Sequence, residues 1–271
     1  MSKALDKFYE VFKSRKPVIG MVHLPPLPGS PRYDGESMAD IADTAVQEAL
    51  KLKTAGFSAC MLENFGDVMF YKTARPETVA SLTYVGKAIR DAVDIPLGVC
   101  VLQCDAIAGL AIAQVIDAQF VRAPYYTETY VVDAGIMESC AAEVLRYRKF
   151  IGSNALILAD VHIKHAYPLL QRPIADAAED AVHRGLADAV IVTGKKTGGP
   201  TNIDDLKSVK AVLADWPVIV GSGMSLKDVN RVMKVADAAI VGTSIKEEGD
   251  TERPIDVKRA KALMKAVQDC A

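Results

Sequence analysis

Two short β-branched runs near the end of the chain each stop at glycine and small hydroxyl residues. They are Pro217–Gly223, Pro-Val-Ile-Val-Gly-Ser-Gly, and Ala239–Ser244, Ala-Ile-Val-Gly-Thr-Ser. Each is followed by a stretch with helical character. A strand that is apolar on both faces belongs to a parallel sheet covered on both sides. Glycine lets backbone approach a ligand closely, and exposed N–H groups at a helix start attract an anion. A single turn of this kind is explained by geometry alone. Two in succession, late in a chain of 271 residues, match the phosphate site that (β/α)8 barrels form after their seventh and eighth strands.

The preceding sequence supplies the other six repeats. Leu5, Phe8, Tyr9 and Phe12 fall at helical spacing and predict an extra N-terminal helix over residues 3–14. The first strand is Pro17–Val22, ending at His23. A stiff proline-rich loop follows, from Leu24 to Tyr33. Further strands are expected at Phe57–Leu62, Leu97–Leu102, Gln119–Ala123, Ala155–Val161 and Ala189–Thr193. Helices are expected at Met38–Thr54, 77–93, 106–116, Gly135–Phe150, Ile174–Arg184 and Ile203–Ala214, and a last one from Pro254. The sixth strand opens onto a glycine-rich loop, Gly194–Pro200, that carries Lys195 and Lys196. Strands alternating with helices and no internal linker predict one (β/α)8 domain over residues 1–271.

Composition excludes several classes. The 32 basic and 34 acidic residues leave a net charge of −2 with no long run of one sign, so neither a nucleic-acid footprint nor a polybasic membrane patch is expected. No apolar run reaches the roughly 20 residues of a membrane span. Five cysteines without a Cys-x-x-Cys pair, and a polar N-terminus unlike a secretory leader, predict reduced thiols in a cytoplasmic protein.

Barrel enzymes place their working groups at the C-terminal ends of the strands. Those ends supply His23, Glu63, Asn64, Gln103, Arg122, Asp160, His162 and Thr193, with Lys164 just beyond the fifth strand. Strand alternation puts Leu156, Leu158, Asp160 and His162 on one face, which predicts Asp160 and His162 side by side in the mouth. A carboxylate and an imidazole there can exchange protons or hold a metal. Glu63, Asp160, His162 and His23 are the candidate acids and bases. Gly221, Ser222, Gly223, Gly242, Thr243 and Ser244 are the candidate phosphate ligands. Asn64, Gln103, Arg122, Lys164, Thr193 and Lys195 are expected to contact substrate. The alternative for Glu63 is a carboxylate that anchors a loop, and for His23 a packed, hydrogen-bonded imidazole.

Several motifs now resemble one family. Val18-Ile-Gly-Met-Val-His-Leu-Pro-Pro-Leu-Pro-Gly-Ser-Pro31, Glu63-Asn-Phe-Gly-Asp67, Ala159-Asp-Val-His-Ile-Lys-His-Ala166, Val192-Thr-Gly-Lys195 and Val220-Gly-Ser-Gly223 are similar to the signatures of the BtpA family, which takes in SgcQ-like proteins. The resemblance implies a barrel of the ribulose-phosphate-binding type. It links some members to photosystem I biogenesis and others to sugar-phosphate metabolism. The chain departs from the family pattern at Cys100, Gln103 and Cys104, and at Pro124 after Arg122, and these departures are expected to change what the rim binds. The expected function is acid–base chemistry on a small phosphorylated sugar or sugar-like substrate: isomerisation, aldol-type cleavage or glycosidic cleavage. The alternatives are a non-catalytic assembly factor and an FMN-binding barrel. No cofactor is predicted outright, a divalent metal stays open, and a homo-oligomer is a prior from barrel helices.

Overall fold

The computed structural model describes residues 3–194 and 202–270. Among them, eight parallel strands close into a barrel. In chain order these are β1 (Val18–His23), β2 (Ala59–Glu63), β3 (Leu97–Cys100), β4 (Phe120–Ala123), β7 (Leu156–Val161), β9 (Ala189–Val192), β10 (Val218–Val220) and β11 (Ala238–Val241), with β11 pairing back onto β1. The gaps in this series are a small three-stranded sheet of β5 (Tyr130–Val132), β6 (Gly135–Met137) and β8 (Tyr167–Pro168). The crossover helices are α2 (Met38–Ala55), α3 (Pro76–Ala92), α4 (Ala106–Ile116), α5 (Ala141–Phe150), α6 (Ile174–Glu179), α7 (Ile203–Val212), α8 (Val229–Met233) and α9 (Val257–Gln268), preceded by α1 (Lys3–Phe12).

Four helices, α2, α4, α7 and α9, start where a side chain satisfies a loose backbone N–H. Ser37 accepts from the Asp40 N–H at the start of α2, and Gly56 ends that helix in the left-handed region. Asp105 caps α4, Asn202 caps α7 and Asp256 caps α9. The last helix therefore starts after Asp256, three residues later than the proline that predicted it. The helix expected from Gly135 starts only at Ala141. Val131 and Val132 favour extended backbone, and the following turn at Asp133–Gly135 uses a glycine at φ 100°, so the chain makes a hairpin first.

Strand alternation separates two cores. Val18, Val22, Cys60, Leu62, Ile157, Ala159 and Val161 pack outward against the helices. Ile19, Met21, Met61, Leu156, Leu158, Ile191 and Ile240 fill the barrel itself. The N-terminal end is closed by α1, whose Phe8 and Phe12 are buried in that inner cluster. The Phe12 ring lies 5.1 Å from that of Phe120 and 4.6 Å from that of Phe8. Phe120 in turn lies over Gly98, where a Cβ would come within 2.0 Å of its ring. An aromatic plug of this kind gains from both area and ring geometry. Phe12→Ala is expected to remove about 3–5 kcal/mol of stability, read as a lowered denaturation midpoint in urea with the secondary structure at low denaturant unchanged.

Candidate functional site

The C-terminal end of the barrel holds a cavity of about 240 Å³. Both glycine turns line it, through Gly221, Ser222, Gly223, Gly242, Thr243 and Ser244. His23, Glu63, Arg122 and Lys164 line the same cavity. The turns are shaped for backbone approach. Gly223 has φ 76°, and a Cβ on Gly242 would stand 2.8 Å from His23 Cε1. Among the described residues, the N–H groups of Gly223, Thr243 and Ser244 are paired with no backbone or side-chain acceptor. The hydroxyls are committed: Thr243 Oγ1 pairs with Thr251 Oγ1 at 2.8 Å, and Ser244 Oγ donates to the Met224 carbonyl at 2.8 Å.

Arg122 is the fixed point of the mouth. Its Nε and one terminal nitrogen each donate to Asp160 at 2.8 Å. Both side chains are buried, and Asp160 is completely enclosed. Burial alone would lower the guanidinium pKa, but the Asp160 carboxylate outweighs it and the group is held firmly charged. The remaining nitrogen lies 3.8 Å from one Glu63 oxygen, and the other Glu63 oxygen lies 3.7 Å from His23 Nε2. Neither contact is of hydrogen-bond length; the side-chain hydrogen bond to this carboxylate comes from the Cys100 thiol. Burial pushes His23 down to about 4, against a smaller upward pull from Glu63. Its imidazole is therefore neutral near pH 7. His23 Nδ1 is buried with no partner of hydrogen-bond geometry among the described residues, although the Thr251 backbone is close enough to raise the group slightly. Lys164 is lowered from the usual lysine value by burial first and by Arg122 second. Its backbone N–H is held by Thr193 Oγ1 at 3.0 Å. Among the described residues its ammonium has no ion-pair partner.

The sequence-derived candidates divide accordingly. Asp160 does share the inner face of β7, but it sits beneath Arg122 and does not line the cavity. His162 does not join it. The chain turns to φ 48° at that residue, which ends the alternation, and the imidazole comes to lie 3.8 Å from Glu128 while the His162 backbone N–H donates to the Tyr130 hydroxyl. Asn64 and Gln103 are loop anchors. Asn64 accepts from the Leu102 N–H at 2.7 Å and donates to Asp67, and Gln103 donates to Asp133 at 2.7 Å. Thr193 holds the Lys164 loop. Lys195, and the glycine-rich loop after Gly194, lie outside the described residues. Cys100, Gln103, Cys104 and Pro124, the departures from the family pattern, do not line the cavity either. The Cys104 thiol donates to the Pro124 carbonyl, so two of them meet each other. Among the described residues no group of three or more His, Cys, Asp or Glu side chains is gathered as for a metal ion, and no helix is long and apolar enough to cross a membrane.

Two contributors were missed from the sequence. Phe65 lines the cavity and stacks on His23, ring centroids 4.7 Å apart. Lys246, directly after the second turn, is buried and pairs with Glu48 at 2.9 Å, while Glu48 also accepts from the Ile255 N–H at 2.8 Å. Glu48 carried a signal, because it interrupts the apolar stripe Ile41, Ala45, Ala49 and Leu52 of α2, and a carboxylate there needs a buried partner.

Comparisons with known proteins agree with this architecture. A model of the BtpA family matches residues 14–269. A protein of Methanocaldococcus jannaschii, MJ1115, is 44% identical, with 92% of this chain and 94% of the relative covered. The photosystem I biogenesis protein BtpA of Synechocystis is 37% identical, with 96% and 91% covered. Among solved structures, tryptophan synthase from M. tuberculosis superposes with a TM-score of 0.59 at 15% identity, covering 98% of this chain and 97% of that one; at that identity the likeness concerns the fold.

The His23 geometry has a measurable consequence. Its ordinary value is 6.5 and its folded value about 4, so below pH 6.5 the unfolded chain takes up the proton first. Stability is full above about pH 6.5 and falls as pH drops toward 4, by up to about 3 kcal/mol for a gap of this size. His23→Gln is expected to remove that share of the acid-side slope, measured as urea midpoints between pH 7 and pH 4 for both proteins.

Proposed function

The chain belongs to the BtpA family, and on that premise we propose that it is an enzyme acting on a small phosphorylated sugar or sugar-like substrate. One observation carries the reading: both glycine turns and the group His23, Glu63, Arg122 and Lys164 line a single cavity. A phosphate there meets N–H groups that have no other acceptor among the described residues, and the Lys164 ammonium adds a charge that no carboxylate among them neutralises by contact. The rest of the substrate then lies against Glu63.

The reaction that suits these groups best is proton abstraction beside a carbonyl, the step common to sugar-phosphate isomerases and aldol-type lyases. Glu63 takes the proton. Arg122, permanently charged and fixed by Asp160, stabilises the oxyanion that develops on the carbonyl oxygen. His23 in its neutral form passes a proton between neighbouring oxygens. Lys164, with its lowered pKa, supplies a proton to the oxyanion, or an amine for a Schiff base. Glycosidic cleavage suits the site less well, because an imidazole that titrates near 4 is a poor acid for a leaving group at neutral pH. Asp160 and Thr193 are positioning residues in this scheme. A second reading has one observation in its favour: the Synechocystis relative is a photosystem I biogenesis protein. In that reading the barrel assists assembly, and Glu63→Gln leaves the biological effect intact.

The expected result is that ribose 5-phosphate and related sugar phosphates raise the melting temperature while the unphosphorylated sugars do not. Lys164→Met weakens that binding about ten-fold or more, the value of a charge-assisted contact. Glu63→Gln keeps the affinity and lowers turnover of the best-bound sugar phosphate by about 100-fold or more. Calorimetry and steady-state kinetics read the two effects separately. Stabilisation by no phosphorylated ligand at all would sink the proposal.

A further inference from the structure

A second cavity, of about 490 Å³, meets the first at His23 and Phe65, which line both. We propose that the two form one bipartite site, and that the substrate is a phosphopentose carrying a planar nitrogen heterocycle, with the phosphate in the smaller chamber and the ring in the larger. This deepens the phosphate reading above and rests on it.

Size gives the first reason. The 240 Å³ chamber alone is smaller than the roughly 300–1,000 Å³ that ligand sites usually occupy, and with its neighbour it falls inside that range. Rigidity gives the second. The walls of the larger chamber include Leu24, Pro25 and Pro26 of the proline-rich loop, and Phe65 and Gly66 of the loop after β2. These loops clamp each other. Asp67 accepts from the Leu27 N–H at 2.7 Å, the Gly66 N–H donates to the Leu24 carbonyl at 3.0 Å, and a Cβ on Gly66 would stand 2.4 Å from the Pro26 nitrogen. Such walls are preformed, so a ring that enters meets flat apolar faces at little ordering cost.

Charge decides what kind of group fits. In the chamber wall Glu48 pairs with Lys246 at 2.9 Å and, behind the wall, with Lys51 at 2.8 Å, and the lining cations Arg32, Lys246 and Arg253 are matched by the lining carboxylates Glu36, Glu48 and Glu252. At the rim Arg32 faces Glu252 at 3.9 Å and Arg253 pairs with Glu248 at 3.0 Å. A second phosphate would find no surplus of positive charge. A neutral ring finds apolar faces together with the polar edge of Thr44, Thr251 and Glu36, which suits a heterocycle that both donates and accepts hydrogen bonds. His23 stands where the chambers meet, and its buried Nδ1 lacks a hydrogen-bond partner among the described residues. A ligand polar atom at the junction would supply one.

Isothermal titration of the full chain at neutral pH tests this with five probes: ribose 5-phosphate, adenosine 5′-monophosphate, uridine 5′-monophosphate, adenosine and ribulose 1,5-bisphosphate. At least one nucleoside monophosphate is expected to bind about ten-fold or more tighter than ribose 5-phosphate, as one stacked base provides, with adenosine weak. Thr44→Trp fills the larger chamber from α2, away from the phosphate turns. It is expected to bring the nucleotide down to the affinity of ribose 5-phosphate and to leave the latter unchanged, which also shows the variant to be folded. The proposal is overturned if neither nucleotide exceeds ribose 5-phosphate, if the bisphosphate binds tightest, or if Thr44→Trp weakens both ligands alike. Binding by ribose 5-phosphate without a ring effect removes only the bipartite site. Binding by no phosphorylated probe removes the phosphate reading and this one with it.

Discussion

A guanidinium buried at the top of a barrel core is costly unless its hydrogen bonds are met in full. Desolvation of such an ion costs several kcal/mol, and only close, well-oriented partners offset it. Asp160 meets this demand for Arg122 with two parallel bonds, the geometry that suits a planar fork and a carboxylate. The pair spans neighbouring strands, since Arg122 is in register with Leu158 on β7. Everything else at the mouth is arranged around this immovable charge. It draws Glu63 from one side and depresses Lys164 from the other. Because Arg122 does not titrate in the physiological range, the field it sets is constant, and the groups whose protonation can change are the ones left without tight partners.

A second level of order comes from contacts outside the cavity. Glu48 on α2 reaches Lys246 and the Ile255 N–H, and so ties the chain after the second glycine turn to the helix that follows β1. Asn64 and Asp67 tie the loops after β1, β2 and β3 together. Loops carry most chemistry in barrels, and their positions are only as good as the anchors beneath them. Here the anchors are buried carboxylates and an amide, each consumed by backbone N–H groups from a neighbouring crossover. Asn64 looks like a site residue in the sequence because it shares a strand end with the cavity-lining groups. Only the direction of each side chain separates the two roles.

That distinction marks how far the sequence could be read. Strand order, the extra N-terminal helix and the meeting of both glycine turns with His23 and Glu63 follow from periodicity and from the rule that barrels work at one end. The two-residue period also predicts Asp160 inside the barrel, and it is there. The same rule fails two residues later, because His162 has already left the strand and taken a left-handed conformation that periodicity does not encode. The hairpin before α5 was hidden for a related reason: a three-residue strand is too short to show a period, and Asp133-Ala134-Gly135 reads equally as the start of a helix. Arg122 was visible as a charge at a strand end, but the loss of its freedom to Asp160 was not, since pairing across strands depends on register.

The departures from the family pattern can now be weighed. Cys104 and Pro124 touch each other, and Gln103 holds the turn of the hairpin that follows β4. Cys100 faces into the barrel below Glu63, where burial and that carboxylate raise its thiol well above the usual range and keep it protonated. All four therefore act on how the β3 loop meets the hairpin, or on the layer beneath the cavity. Of the groups that line the cavity, His23, Glu63, Phe65, Lys164, Gly221, Ser222 and Gly223 lie in the stretches that carry the family's signatures. A change of packing at one flank shifts a loop, whereas a change of substrate class requires new charge or new space at the wall. None of the four departing positions lines the wall of this cavity, so the chemistry proposed for this chain runs through His23, Glu63, Arg122, Asp160 and Lys164 and not through the β3 loop.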